Sequence, residues 1–296
     1  MSWSDFVRSL GLVDPLFPAA IAAGGDVVVA LFSKRAVIWS LSTGEIQSTT
    51  PVEGLGVAVN DRGEIALPDA SGRPVWLGST LLRLGWKSWT FDTRPHYAED
   101  LDVSARARVF RLGDRILLAD PMHDRPQELH AGELIEGKPS RDDAPCMDAC
   151  LHEGRLVTVQ RAGLRVWDDI KSWSPSSSPH TLQVLAVDSR AGVLWTVGLP
   201  GPELVGSGQR LRLPRLSESP RVWALETGVL VETLGGFFFL EPSGATHTLE
   251  LPGRRKRHSG VLPVGTQVLV CSEPIRLYDP VGAALVRELA TPAGEV

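Results

Sequence analysis

The chain has 296 residues, of which 43% are hydrophobic and 22% are charged, and its formal net charge is −5 at pH 7. This composition is typical of a globular protein with a large core, and the negative balance gives no general attraction for nucleic acid. Three cysteines are too few for a disulfide framework, and their odd number favours a reducing compartment. Arginine far outnumbers lysine, a bias typical of GC-rich bacterial genomes.

The N-terminal segment predicts one short amphipathic helix. Ser2 or Ser4 is a suitable cap, and Gly11 is a stop signal. The apolar residues of one helical stripe are Trp3, Phe6, Val7 and Leu10. We assign residues 1–17 to a helical closing segment, which either folds over the junction of the first and last repeats or docks in a groove of a partner.

The sequence predicts neither a signal peptide nor a membrane span. Asp5, Asp14 and Pro15 interrupt the apolar stretch that a signal peptide would need. No apolar run approaches the roughly 18 residues of a membrane-spanning helix. We therefore expect a cytoplasmic protein without membrane contacts.

A repeat of about 38 residues runs through the rest of the chain. In each copy a Gly-rich turn precedes an apolar strand, a tight turn and a further strand that ends in an aromatic residue. Taken as the second strand of each copy, the apolar strands begin at Asp26, Glu64, Arg115, Arg155, Val193, Val229 and Thr266. Because each copy has room for four short strands, the sequence predicts an all-β fold, a seven-bladed β-propeller of four-stranded antiparallel blades forming a single domain over residues 18–292.

Individual strands can be placed in the fourth and seventh copies. Those of the fourth copy are 145–151, 155–160, 163–168 and 171–174, and those of the seventh are 260–264, 267–271, 275–279 and 284–289. The seventh copy therefore supplies its own fourth strand. The aromatic residues that close the third strands are Trp39, Trp76, Trp167, Phe239 and Tyr278. We expect them to be buried between neighbouring blades.

The fourth and seventh copies resemble the ends of WD repeats. The resemblance rests on Trp167-Asp168 in GLRVWDD, on Tyr278-Asp279 in IRLYDPVG, and on the His-Ser-Gly sequence 258–260 before the seventh blade. In that family a His, a Ser or Thr, an Asp and the Trp form a hydrogen-bonded tetrad within a blade. The resemblance implies that His258 and Ser272 contribute to such a network in the seventh blade, where Tyr278 replaces the tryptophan. It also implies a divergent bacterial WD-repeat-like propeller.

Charged residues divide between the two sides of the predicted ring. One side carries the turns between second and third strands together with the connections between blades. Its cations are Lys34, Arg35, Arg73, Arg125, Arg161, Arg254, Arg255, Lys256 and Arg257. The other side collects Asp26, Glu45, Asp61, Glu64, Asp114, Glu153, Asp188 and Glu226. The first side is a candidate for binding an anionic partner, although ordinary solvated turns would have the same composition.

The run Arg254–Arg257 has three interpretations. It is a solvated loop, a contact for an acidic protein surface, or a contact for nucleic-acid phosphates. The net charge and the lack of interleaved aromatic residues weigh against nucleic acid.

Two insertions interrupt the repeat, at about residues 86–106 and 168–181. Trp86, Trp89 and Trp173 lie in or beside them, and tryptophans near arginines are common interface anchors. The alternative for Trp86 and Trp89 is a strand of the third blade with both rings packed inward.

Catalytic and metal-binding patterns are sparse. Cys146 and Cys150 with His152 do not have zinc-site spacing, and strand alternation predicts that both cysteines are buried on one face. His96 lies in a carboxylate-rich segment without a recognisable motif. We expect no catalytic residues, no metal and no cofactor.

These features predict a non-enzymatic scaffold or adaptor that binds a protein partner in a multi-protein assembly. The resemblance to stand-alone bacterial propellers further implies an association with AAA-type ATPases in defence or conflict systems. The alternative is a nucleic-acid-associated module that binds phosphates through its basic loop. The third hypothesis is a propeller-type hydrolase.

Overall fold

The computed structural model describes residues 20–32, 35–51, 57–59, 62–63, 65–66, 82–84, 87–89, 108–112, 115–119, 123, 125–130, 133–137, 146–161, 163–175, 183–217, 220–250, 261–271 and 274–291. The helix predicted within residues 1–17 lies outside these ranges. Within them there is no α-helix, and no helix is long and apolar enough to cross a membrane.

The described residues form antiparallel sheets. The strands of the first half are β1 (Ala20–Gly24), β2 (Val27–Phe32), β3 (Arg35–Ser40), β4 (Ile46–Pro51), β5 (Ala58–Val59), β6 (Ile65–Ala66), β7 (Leu82–Leu84), β8 (Lys87–Trp89), β9 (Arg108–Leu112), β10 (Arg115–Ala119), β11 (Gln127–His130), β12 (Glu133–Glu136), β13 (Asp148–His152) and β14 (Arg155–Gln160). Those of the second half are β15 (Gly163–Asp169), β16 (Ser172–Pro175), β17 (Gln183–Arg190), β18 (Val193–Leu199), β19 (Glu203–Gly206), β20 (Gln209–Arg212), β21 (Val222–Leu225), β22 (Gly228–Thr233), β23 (Gly236–Leu240), β24 (Thr246–Glu250), β25 (Val261–Val264), β26 (Gln267–Val270), β27 (Arg276–Asp279) and β28 (Ala284–Glu288).

Within each sheet, strands that follow one another in sequence also pair in space. Six sheets have four strands each, β1–β4, β9–β12, β13–β16, β17–β20, β21–β24 and β25–β28, and two hairpins, β5–β6 and β7–β8, complete the described sheets. All seven predicted second-strand starts fall within one residue of the start of β2, β6, β10, β14, β18, β22 or β26. The prediction of four-stranded antiparallel sheets is confirmed for six repeats. Trp89 pairs with Leu82 in the β7–β8 hairpin, outside the β9–β12 sheet.

The chain divides into two compact units. The first comprises residues 1–96, 257–279 and 284–296, and the second comprises residues 97–256 and 280–283. In the second unit, successive sheets share buried side chains, as Leu117 of β10 does with Leu156 of β14, and Val197 of β18 with Val231 of β22. Apolar strands such as β22 and β23 are buried at nearly every position, as expected for the inner strands of packed sheets.

In the first unit, the first and last sheets of the chain pack against each other. Val28 and Trp39 share one core with Leu269, Leu277 and Leu289. Each of these sheets is built from one continuous stretch of chain, so they meet through side chains without exchanging a strand. The expectation that the last repeat supplies its own fourth strand is confirmed.

Backbone bonds at the C-terminal end reinforce this junction. The amide of Ala290 donates to the carbonyl of Gly44 at 2.9 Å, and its carbonyl accepts from the indole Nε1 of Trp39 at 2.9 Å. Gly44 has a φ of 77°, and a Cβ there would lie 2.5 Å from Cδ of Arg287. Only glycine suits this close approach without displacing the arginine.

The aromatic residues that close the third strands are buried as predicted. Trp39, Trp167, Phe239 and Tyr278 are all buried, and Trp76 lies outside the described residues. A β-bulge occurs beside the aromatic residue in three sheets, at Trp39, Trp167 and Tyr278. The bulge increases the local twist, which lets the outer strand turn away from the plane of the inner strands.

The cysteine prediction was half right. Cys146 and Cys150 are both buried, but they belong to different cores, Cys146 beside Trp167 and Cys150 beside Val157. β13 begins at Asp148, so Cys146 precedes the strand and does not follow its alternation. The expectation of a shared face was therefore wrong.

Candidate interaction face

Each four-stranded sheet of the second unit has two ends. The chain enters each sheet at the start of the first strand, and successive strands run in opposite directions. The turn between the second and third strands therefore lies at the same end of the sheet as this entry, and so does the connection that leaves the fourth strand. We call this end the connection face. The turns between first and second strands and between third and fourth strands lie at the other end, which we call the hairpin face.

The connections are hydrogen-bonded onto the connection face. The amide of Cys146 donates to the carbonyl of His123, in the turn between β10 and β11, at 3.0 Å. The next amide, of Met147, donates to Val159 at the end of β14 at 2.8 Å. The predicted grouping of connections and second-to-third turns is thus present between these two sheets.

The connection from β20 to β21 follows the same course. The amide of Leu213 donates to the carbonyl of Pro202, in the turn between β18 and β19, at 2.7 Å. Further along, the carbonyl of Arg215 accepts from the amide of Leu234 at 2.7 Å, and Leu216 forms a bridge with Thr233. These bonds hold Arg215 directly beside the β22–β23 turn.

Large apolar side chains are exposed on the connection face next to arginines. Leu234 is 62% exposed beside Arg215, and Met147 is 36% exposed next to Val159, two residues before Arg161. Arg161 and Arg215 are both exposed. Among the described residues neither guanidinium forms an ion pair.

Several charged side chains on the hairpin face of the second unit have bonded partners. Arg190 pairs with Glu226 at 2.5 Å, and Arg155 pairs with Asp168 at 3.5 Å. The carboxylate of Asp169 accepts from the amide of Lys171 at 2.6 Å. These bonds explain the acidic residues of this side as parts of turns and of contacts between sheets.

The hairpin face of the first unit has a comparable arrangement around Asp26. Its carboxylate accepts from the hydroxyls of Ser40 and Ser42 and from the Ser42 amide, at 2.7–3.0 Å. The Ser40 hydroxyl bond is the main cause that lowers the pKa of Asp26 below its usual value, with the bonds from Ser42 adding to it. Asp26 therefore joins the β1–β2 turn to the β3–β4 turn.

Two carboxylates, Asp148, which is buried, and Asp188, which is half-buried, tie together the first strands of adjacent sheets. Asp148 of β13 accepts from the amide of Val187 in β17 at 3.0 Å. Asp188 of β17 accepts from the amide of Ala224 in β21 at 2.8 Å. These two bonds link successive sheets within the second unit.

The residues predicted for the binding surface lie in different environments. Arg161 is exposed in the β14–β15 turn, Arg35 is half-buried at the start of β3, and Arg125 pairs with Glu136 at 3.4 Å. Trp89 lies in β8. Lys34, Arg73, Trp86, Arg254, Arg255, Lys256 and Arg257 lie outside the described residues, and their assignment to the surface stays a prediction.

Trp173 is half-buried in β16 and contacts two residues of its own sheet. The guanidinium of Arg165 lies 4.1 Å from the ring centre of Trp173, and the ring of Trp167 is 6.2 Å away at a tilt of 50°. Arg165 is buried, and its charge interacts with the electron-rich face of the ring. Part of the Trp173 ring is therefore used in contacts within its own sheet. Its role as an anchor for a partner stays a prediction.

Met147, Leu234 and Arg215 were not selected from the sequence. The sequence does contain one indication of this surface. Leu234 occupies the Thr-Leu-Gly-Gly turn, at a position where a polar residue is usual. Arg215 could not be placed beside it, because that pairing depends on the path of the connection between two sheets.

One pair of side chains has groups used in nucleophilic catalysis. His152 Nδ1 lies 2.7 Å from the hydroxyl of Ser189, across β13 and β17. A catalytic pair needs a further group to orient the imidazole, and among the described residues no carboxylate is bonded to His152. This bond is explained as a further link between first strands.

The described residues contain no group of three or more His, Cys, Asp and Glu side chains that could hold a metal ion. His96 and its acidic neighbours lie outside them. Burial raises the pKa of the Cys271 thiol to about 12, so this thiol is not nucleophilic at neutral pH.

No protein-family model matches the chain, and no curated protein matches it. Several solved structures do. PorZ, a surface component of the type-IX secretion system of Porphyromonas gingivalis, matches with a TM-score of 0.62 at 12% identity over 94% of this chain. The match spans 39% of PorZ, about two fifths of its length.

Two further structures match over most of both chains. Virginiamycin B lyase from Staphylococcus aureus matches with a TM-score of 0.57 at 11% identity, covering 88% of this chain and 93% of the lyase. The computationally designed Ika8 protein matches with a TM-score of 0.53 at 14% identity, covering 93% of this chain and 87% of that protein. At these identities the likeness concerns the fold alone. The chain has a multi-blade β-propeller-like fold, and its similar structures include an enzyme.

Proposed function

We propose that the protein is a non-enzymatic scaffold that binds a protein partner through its connection face. The observation that carries the proposal is the difference between the two ends of the second unit. On the hairpin face Arg155 and Arg190 are ion-paired. On the connection face Leu234 and Met147 are exposed, and the neighbouring Arg215 and Arg161 form no ion pair among the described residues. Exposed apolar residues with nearby arginines are typical of protein interfaces.

We further propose a divergent WD-repeat-like propeller of seven blades. The hairpins β5–β6 and β7–β8 would form the second blade, since β6 follows β2 at the repeat spacing of about 38 residues and the longer interval before β10 contains the insertion. The bond from the indole of Trp167 to the hydroxyl of Thr158, at 2.9 Å, supports the family resemblance because it pairs a tryptophan with a Ser or Thr, as WD repeats do.

The assignment to a bacterial, cytoplasmic assembly is also a proposal. A place beside AAA-type ATPases in defence or conflict systems predicts that the gene has neighbours encoding such an ATPase. Inspection of the genes on either side is the measurement, and a neighbourhood without ATPase genes in several genomes would contradict it.

The test of scaffold function is co-purification of a tagged chain from its native host, with nuclease treatment and mass spectrometry. We compare the wild type with Arg161→Glu and with Lys171→Glu, a matched charge reversal on the hairpin face of the same sheet. A stoichiometric protein partner that survives nuclease should be lost from Arg161→Glu and retained by Lys171→Glu.

The same experiment tests the basic run 254–257, using a variant in which all four residues are alanine. Recovery of nucleic acid alone, removed by nuclease, would replace the scaffold with the nucleic-acid-associated module. Absence of any protein partner would contradict the scaffold.

A further inference from the structure

We propose that the connection face recognises an extended protein segment in which carboxylates adjoin large apolar side chains. This inference rests on the proposed scaffold function and names the chemistry of its partner. It assigns two subsites, one formed by Leu234 with Arg215 and one formed by Met147 with Arg161.

The first subsite is built by backbone bonds. The amide of Leu234 is bonded to the carbonyl of Arg215 at 2.7 Å, and the bridge between Leu216 and Thr233 extends this pairing by one residue. The turn is thereby held in place while the Leu234 side chain is 62% exposed. An apolar side chain of a partner that covered Leu234 would lie next to the exposed Arg215.

The second subsite repeats this chemistry on another sheet. The amide of Met147 is bonded to Val159 at 2.8 Å, and β14 ends one residue before the exposed Arg161. Met147 is unbranched and adapts to apolar groups of different shape. The sheet β17–β20 lies between the two subsites, so a single ligand must extend across it to occupy both.

The positive charge of the two arginines favours a ligand with carboxylates. Arginines form strong, directional hydrogen bonds with carboxylates, and Arg161 and Arg215 have no ion-pair partner among the described residues. A basic segment would be repelled at both subsites. A nucleic acid would satisfy the arginines but would leave Leu234 and Met147 without apolar contacts.

An exposed leucine on β28 provides a control for the first subsite. Leu285 is 50% exposed on β28, and its nearest charged neighbour along that strand is Arg287. Leu285 is an exposed leucine like Leu234, but it lies on a strand of the first unit and not in a turn between second and third strands, which makes it the appropriate control position.

The experiment selects ligands from a phage-displayed library of random 12-residue peptides on the immobilised full chain. We expect enriched peptides to combine Asp or Glu with Leu, Ile, Met or aromatic residues. In fluorescence polarisation, an enriched peptide should bind Leu234→Glu and Arg215→Glu at least tenfold more weakly, while Leu285→Glu and Lys171→Glu leave the affinity within twofold. Thermal melting establishes that all four variants are folded.

Several outcomes overturn the inference. These are no enrichment, enriched peptides without carboxylates, and binding unaffected by Leu234→Glu and Arg215→Glu. A labelled 20-nucleotide single strand that binds the wild type and is lost in Arg215→Glu would assign the face to nucleic acid. If co-purification yields an Arg161-dependent protein partner while the peptides fail, the partner chemistry is wrong and the scaffold stands. If both fail, the scaffold function falls as well.

Discussion

At the scale of single residues, equivalent tryptophans use different partners. Trp39 and Trp167 occupy the same position in their sheets, opposite Val28 and Leu156 of the second strand. In one sheet the indole donates to the hydroxyl of Thr158, and in the other Ala30 stands at the position of Thr158, so the indole donates to a carbonyl instead. The acceptor that each of these two indoles uses is therefore set by the residues around it and not by its position in the sheet.

The Trp167–Thr158 bond can be measured with a double-mutant cycle. We expect Trp167→Phe and Thr158→Val each to lower the free energy of unfolding by about 1–3 kcal/mol, because each leaves a buried polar group without its partner. The double variant should lose about 1 kcal/mol less than the sum of the two. Urea unfolding gives these values, and full additivity would show that the bond does not contribute.

At the scale of elements, carboxylates organise the turns and the contacts between first strands. Asp26 bridges two turns of one sheet, while Asp148 and Asp188 each reach an amide of the next sheet. The side chain of Asp148 is buried, whereas Asp168 is exposed in an ion pair with Arg155. We therefore expect the two aspartates to contribute differently to stability, because only the partner of Asp148 is shielded from water.

Asp148 and Asp168 form a matched pair for measurement. Asp148→Ala leaves the amide of Val187 buried without an acceptor, and we expect a loss of about 1–3 kcal/mol. Asp168→Ala removes a largely solvated ion pair and should cost less than about 1 kcal/mol. Urea unfolding of both variants tests the difference, and equal losses would contradict the role of Asp148 as a link between sheets.

Asp26 gives a pH dependence with a defined sign. Its pKa in the folded protein is below the ordinary value of 3.8, so its contribution to stability is fully present above pH 3.8 and is lost as the pH falls through the folded value. We expect Asp26→Asn to be less stable than the wild type at pH 6, with the difference shrinking below pH 3.8. Urea midpoints across this pH range test it, and a difference independent of pH would contradict the assignment.

At the scale of the molecule, the first and last sheets of the chain share a core. Leu289 is 2% exposed in this core, and Ala290 adds backbone and indole bonds to the first sheet. The contact joins residues separated by 251 positions in the Trp39–Ala290 bond. Closing so long a loop costs conformational entropy, and buried apolar side chains offset that cost.

Two leucines near the C-terminal end test this contact. Leu289→Ala removes a fully packed side chain, and we expect a loss of about 2–4 kcal/mol. Leu285→Ala, four residues earlier on the exposed strand β28, should change stability by no more than about 0.5 kcal/mol. Thermal or urea unfolding separates the two, and a small effect of Leu289→Ala would mean that the first and last sheets contribute little to each other.

The sequence was sufficient for the repeat and for most strand positions. The strands of the last repeat agree with the prediction to within one residue, because Gly-containing turns bound short apolar runs that have no helical alternative. The residues of the connection face were harder to predict from the sequence. Arg161 was predicted from its turn, but the pairing of Leu234 with Arg215 was not, since the two lie in different repeats.

The amino-acid sequence by itself determined the all-β character, the four-strand repeat and the burial of Trp39, Trp167, Phe239 and Tyr278. These features depend on local alternation and turn chemistry, which act over a few residues. The tertiary structure decided which charges are bonded to one another, which acceptor each indole finds, and which apolar turn residue stays exposed beside an arginine. Those outcomes depend on contacts between separate sheets, where small differences in the path of a connection decide which side chains meet.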